Sequence, residues 1–135
     1  MNTHSVFVYG TLRKGGSNHF RMDGADFAGS GKVAGGIYLI DSNPELVFPA
    51  LKTDTPGHVV GEVYRVSEIQ LKALDAFEGI SGHDEEACEY RRVMVEVEME
   101  SGGHQNAWVW EWNSGLDGAR SLPEGDWLIY EPNPS

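Results

Sequence analysis

Tyr90-Arg91-Arg92-Val93-Met94-Val95-Glu96-Val97-Glu98-Met99-Glu100 alternates, with Val93, Val95, Val97 and Met99 on one face and Arg92, Glu96, Glu98 and Glu100 on the other. A period of two puts successive side chains on opposite sides of an extended chain, so this stretch reads as a strand buried on one face. Ser101-Gly102-Gly103-His104 supplies a hairpin turn into Gln105 to Trp112. There Trp108, Trp110 and Trp112 share a face, a pattern of a core or barrel wall.

Upstream stands one well-marked helix. Ser67-Glu68-Ile69-Gln70 has the form of a capping box, in which the Ser67 hydroxyl takes a first-turn NH and Gln70 reaches back to the cap. Ile69, Ala73, Leu74 and Phe77 recur at helical spacing, and Gly79 supplies a left-handed end. Before it, Val59 to Val66 reads as a strand with Val60, Tyr64 and Val66 on one face and Val59 and Val63 on the other. A further strand is expected at about residues 31 to 40. A brief extended piece from Leu46 to Leu51 carries Pro49, which suits a sheet edge. Ser17 or Asn18 is placed to cap a short helical turn through Met22. Leu122, Trp127, Leu128 and Tyr130 are the expected packing anchors of the tail. Short strands outnumber helices and do not alternate with them. The fold class is therefore α+β, a largely antiparallel or mixed sheet curled into a barrel.

The chain has 135 residues, 40% of them hydrophobic, a composition that fits one globular domain spanning residues 1 to 135. A net charge of −11 argues against nucleic acid or an anionic membrane as partner, since both demand a basic face. No apolar run has the length of a membrane span and no leader is visible, so a cytoplasmic location is expected. The single Cys88 cannot form an internal disulfide.

Two short stretches carry the chemistry. Val6-Phe7-Val8-Tyr9-Gly10-Thr11-Leu12-Arg13 is a strand that ends at a glycine, where the amides of Gly10, Thr11 and Leu12 can converge on an anion. Leu74-Asp75-Ala76-Phe77-Glu78-Gly79 ends the helix with two carboxylates three residues apart. Partial burial beside Phe77, the neighbouring Asp75 and the negative end of the helix dipole would all raise the pKa of Glu78 towards neutrality. Standing alone, each stretch reads first as ordinary structure, a strand-to-loop turn and a solvated helix end.

Together they resemble the gamma-glutamylcyclotransferase-like family. The matching pieces are the stretch from Val6 to Arg13 with Asn18-His19, then Phe48-Pro49-Ala50, Gly61-Glu62-Val63-Tyr64, Leu74 to Gly79, and Tyr90-Arg91-Arg92-Val93. Ile80 to Glu89 is longer than that family's usual link. The resemblance implies a small mixed β-barrel flanked by a few short helices, and a loop of Tyr9, Gly10, Thr11 and Leu12 that binds substrate. It also implies Glu78 as catalytic acid/base and Tyr90 as a substrate contact. The reaction would turn a small-molecule gamma-glutamyl amide into 5-oxoproline and a free amine, with no cofactor and no metal. A second reading is a binding module that holds a gamma-glutamyl or amino-acid-like ligand and turns nothing over.

Other constellations are weaker. Cys88 with His83 lacks a visible orienting group. His83, Asp84, Glu85 and Glu86 share no ligand spacing with His58 or His104. Arg13, Arg91 and Arg92 suit either a bidentate carboxylate or a structural ion pair.

Overall fold

The longest run of β-branched residues forms the strand on which the rest is built. In the computed structural model it is β5 (His58–Ser67), paired antiparallel with β1 (Thr3–Val8) along one edge and β2 (Asp26–Ala34) along the other. The structure describes residues 3–16, 18–43, 46–77, 90–113, 116 and 119–130. The expected hairpin is present as β6 (Tyr90–Met99) and β7 (His104–Trp112). β2 joins β6 through Gly31 and Lys32, and β1 meets β7 in parallel at Val6 and Trp108, closing a barrel in the order β1-β5-β2-β6-β7. That single parallel contact makes the sheet mixed.

Both faces of the wall are buried along β1, β5 and β7, while β6 keeps one face open to solvent. Phe7, Val33, Val59, Val63, Val97 and Val109 fill one cluster. Val6, Val8, Tyr64, Val66, Trp110 and Trp112 form the other, beneath Leu71 and Leu74 of α1 (Glu68–Phe77). The two faces follow the period of two along each strand, as the alternation in Val59 to Val66 requires. The tail returns to the barrel: Leu122 joins the first cluster, and so does Trp127 at the start of α2 (Trp127–Tyr130).

Four local expectations change. The single strand expected at residues 31 to 40 is broken at Gly35, whose φ of 142° turns the chain out of the barrel. Beyond it β3 (Gly36–Asn43) lies between β4 (Leu46–Lys52) and β8 (Arg120–Ser121) in a separate antiparallel sheet, and Pro49 sits on the edge strand as expected. The Ser67 hydroxyl does accept from the Gln70 amide at 3.1 Å, but the Gln70 side chain donates to the carbonyls of Arg21 and Asp23. Two carbonyls left over after the 3-10 turn His19–Met22 thus compete successfully for that amide. Ile69 is 82% exposed, because it lies about 200° around the helix from Leu71, which is buried. Asn18 precedes the 3-10 turn without capping it, its side-chain amide going to Thr11 Oγ1. Gly79, the loop from Ser81 to Glu89, Ser17 and the Tyr130 side chain fall outside the described residues. No helix among the described residues is long and apolar enough to cross a membrane.

Candidate active site

β1 and β7 run parallel, so both reach the same end of the barrel. β6 begins there, because Tyr90 pairs with Trp112. The glycine turn follows β1 at this end. Gly10 lies against Pro49 so closely that a Cβ would overlap the proline ring. The Tyr90 hydroxyl donates to the Pro49 carbonyl, and its ring packs edge-on against Trp112 at 5.2 Å. Pro49 therefore joins Gly10 to Tyr90, two residues 80 positions apart that the family resemblance assigns to one site. Tyr9 is buried in the barrel and donates to the Trp110 carbonyl at 2.7 Å. Leu12 is buried in the opposite cluster and Thr11 is half-buried.

The turn has a defined hydrogen-bond pattern. Its carbonyls are used: Gly10 accepts from the Arg13 amide at 3.0 Å, Thr11 from the Asn18 amide at 2.8 Å, and Leu12 from His19 Nδ1 at 2.9 Å. The amides of Gly10, Thr11 and Leu12 have no acceptor among the described residues. A set of successive donors left open in a well-fixed turn can receive an anion or a developing oxyanion. His19 accordingly serves this turn as a structural donor.

Arg13 is committed to the protein. Its Nε lies 2.5 Å from Glu62 Oε2 and its Nη1 2.6 Å from Asp126 Oδ1, while Glu62 Oε1 accepts the Lys14 amide at 2.8 Å. Of its two readings, the ion pair is the one observed. Burial, and after it the Glu62 charge, hold the Tyr64 hydroxyl above the ordinary tyrosine range.

Glu78 falls outside the described residues, as do His83 and Cys88. The described part of α1 ends at Phe77, and its last turn is pinned to the barrel wall. Asp75 Oδ1 accepts from Trp110 Nε1 at 2.8 Å and lies 3.4 Å from Arg92 Nε, whose guanidinium covers the Trp108 ring. Asp75 is thus shared between the indole of β7 and the guanidinium of β6. Arg91 is likewise engaged: it donates twice to Glu111, a 2% exposed carboxylate that also takes the amide and hydroxyl of Thr53. Burial raises the pKa of Glu111, but the Thr53 bonds and Arg91 outweigh it and leave the carboxyl below its ordinary value. Among the described residues, no group of three or more His, Cys, Asp or Glu is placed to hold a metal.

Sequence reading missed Glu62, Glu111 and Asp126 as parts of this end of the barrel. The available signal was an acidic residue inside an otherwise apolar strand, Glu62 among valines and Glu111 between two tryptophans.

The class that these features define is a closed mixed β-barrel with a glycine turn of open amides at one end. The family model described as gamma-glutamyl cyclotransferase, AIG2-like, matches residues 6–129. A gamma-L-glutamyl-butirosin B gamma-glutamyl cyclotransferase of Niallia circulans is 34% identical over 127 residues, covering 93% of this chain and 76% of that protein. A gamma-glutamylcyclotransferase family protein of Escherichia coli is 32% identical over 127 residues, covering 91% and 95%. The crystal structure of an AIG2-like protein from Mus musculus superposes with a TM-score of 0.72 at 26% identity, covering 100% of this chain and 99% of that one. The chain belongs to the gamma-glutamylcyclotransferase family.

Proposed function

We propose that this protein cyclises a gamma-glutamyl amide to 5-oxoproline and releases an amine or amino acid. The observation that carries the reading is the turn from Gly10 to Leu12, with its carbonyls occupied, its amides open, Pro49 against it and Tyr90 hydrogen-bonded to Pro49. The α-amino nitrogen of the substrate attacks its own γ-carbonyl, a carbon–nitrogen bond forms in the ring, and the original amide bond breaks. No water is consumed. Because the nucleophile is tethered, holding the substrate folded can contribute an effective molarity on the order of 10⁵ M. The open amides hold the α-carboxylate or polarise the carbonyl. With Arg13 paired to Glu62 and Asp126, that task falls to the backbone. Tyr9 and Leu12 anchor the substrate-binding turn in the clusters on either side of the wall, Tyr90 backs it through Pro49, and Thr11 contributes its amide.

Glu78 is the acid/base in this reading. It follows directly on a helix whose last described turn is fixed to β6 and β7 through Asp75, next to Tyr90 and Trp112. The α-ammonium gives up two protons in becoming the ring NH, and Glu78 takes them in turn and returns them to the departing nitrogen, which leaves as an ammonium.

The test is release of 5-oxoproline from a panel of gamma-glutamyl dipeptides, gamma-glutamylamines and gamma-glutamyl-ε-lysine. Wild-type protein is expected to turn over at least one, with Glu78→Gln slower by about 10² or more. Normal turnover by Glu78→Gln would remove that residue from the mechanism. Ligand binding without product from wild-type protein would favour the binding module.

A further inference from the structure

We infer that Glu62 is the positioning residue for the glycine turn, acting through a clamp of Glu62, Arg13 and Asp126; the inference rests on the reading just given. Glu62 lies on β5 opposite Val8, two residues before the turn begins on the neighbouring strand. Its side chain is 7% exposed and both oxygens are used, one by Arg13 Nε and the other by the Lys14 amide. These two bonds hold the far side of the turn, while Gly10 rests on Pro49 at the near side. The open amides of Gly10, Thr11 and Leu12 lie between these two fixed points.

The third member comes from the other end of the chain. Asp126 accepts Arg13 Nη1 at 2.6 Å and also the Leu128 amide at 3.1 Å, so it is itself held in place at the start of α2. A Cβ on Gly15 would lie 3.8 Å from Leu128 Cδ1, which places the same turn against that segment. The turn is thus gripped between β5 and the segment before α2. Charge follows the same logic: two carboxylates share one guanidinium, so Arg13 has no full charge left for a substrate carboxylate. Glu62 therefore acts on the substrate only by aiming the amides, and in this inference these hold the α-carboxylate, whose charge the reaction leaves unchanged, so they bind the ground state and transition state alike. Loss of such uniform binding raises KM and spares kcat.

The experiment uses full-length protein with Glu62→Gln, which keeps shape and removes charge, and Asp126→Asn, which leaves the Glu62 bonds in place. Two readouts are taken. In ¹⁵N–¹H spectra without substrate, Glu62→Gln is expected to move the amides of residues 10–16 and leave those of β6 and β7 in place. On whichever gamma-glutamyl amide the wild-type protein turns over, Glu62→Gln is expected to raise KM about tenfold with kcat within about threefold, and Asp126→Asn to raise KM less. An active wild type with unchanged KM in Glu62→Gln, or with kcat falling instead, overturns the inference while the proposed function stands. Unmoved amides at residues 10–16 overturn it whatever the activity. An inactive wild type rejects the proposed function, and the amide shifts of the two variants then decide the clamp alone. If Glu62→Gln does not fold, the Asp126→Asn shifts and KM decide it on the same terms.

Discussion

Two buried carboxylates stand at the same end of this barrel, each facing an arginine, and they do different work. Glu111 fastens the hairpin to the second sheet: it sits on β7, takes two donors from Arg91 on β6 and two from Thr53, the first residue after β4. Glu62 fastens regular structure to a turn, taking Arg13 and the Lys14 amide. The four donors on Glu111 come from a strand and from the residue next to one, so the bonds tie the two sheets together. The donors on Glu62 come from the segment whose shape the proposed chemistry needs. The same chemical device therefore stabilises in one place and orients in the other.

Removing Glu111 gives the largest expected effect. Glu111→Ala leaves the Thr53 amide without its acceptor and should cost about 3 kcal/mol in urea or thermal unfolding, with turnover per folded molecule unchanged. A loss of turnover without a loss of stability would break the comparison. The next effect in size lies on the turn. Gly10→Ala places a methyl group into the Pro49 ring, which cannot yield without moving the edge strand, and should cost about 2 kcal/mol by thermal unfolding. Here substrate binding should weaken as well, which Glu111→Ala should not do.

The smallest effect is on pH. The folded-state pKa of Glu111 is depressed, so its contribution is complete above the ordinary glutamate pKa of about 4.3 and is lost as pH falls through the folded value. Wild-type stability should fall more steeply below that pH than the stability of Glu111→Gln, by at most about 1.4 kcal/mol per pH unit for one proton. Parallel acid-unfolding curves would show that the carboxyl does not discharge on folding's account.

The barrel was legible where one rule settles it. The alternation from Tyr90 to Glu100 and the two faces of Val59 to Val66 follow from a period of two, and both hold in the structure. The break at Gly35 was not legible, because a glycine within an extended run marks either a bend or a simple strand position, and the choice depends on β4 and β8 beyond it. Ile69 looked like core because the helical period fixes a stripe only up to rotation, and the barrel wall beneath Leu71 and Leu74 selects the face. At the site, Gly10 and Tyr90 were placed by resemblance, and Pro49 supplies the physical link between them. The clamp escaped because its members are far apart in the chain, and no spacing rule joins Arg13 to Glu62 or Asp126.

That last bond has a consequence for biogenesis. Arg13 leaves the ribosome before Asp126, which lies 113 positions later. The nascent turn therefore stays half-fastened until Asp126 has been made and folded back against it, so this contact closes only after the strands between the two residues exist.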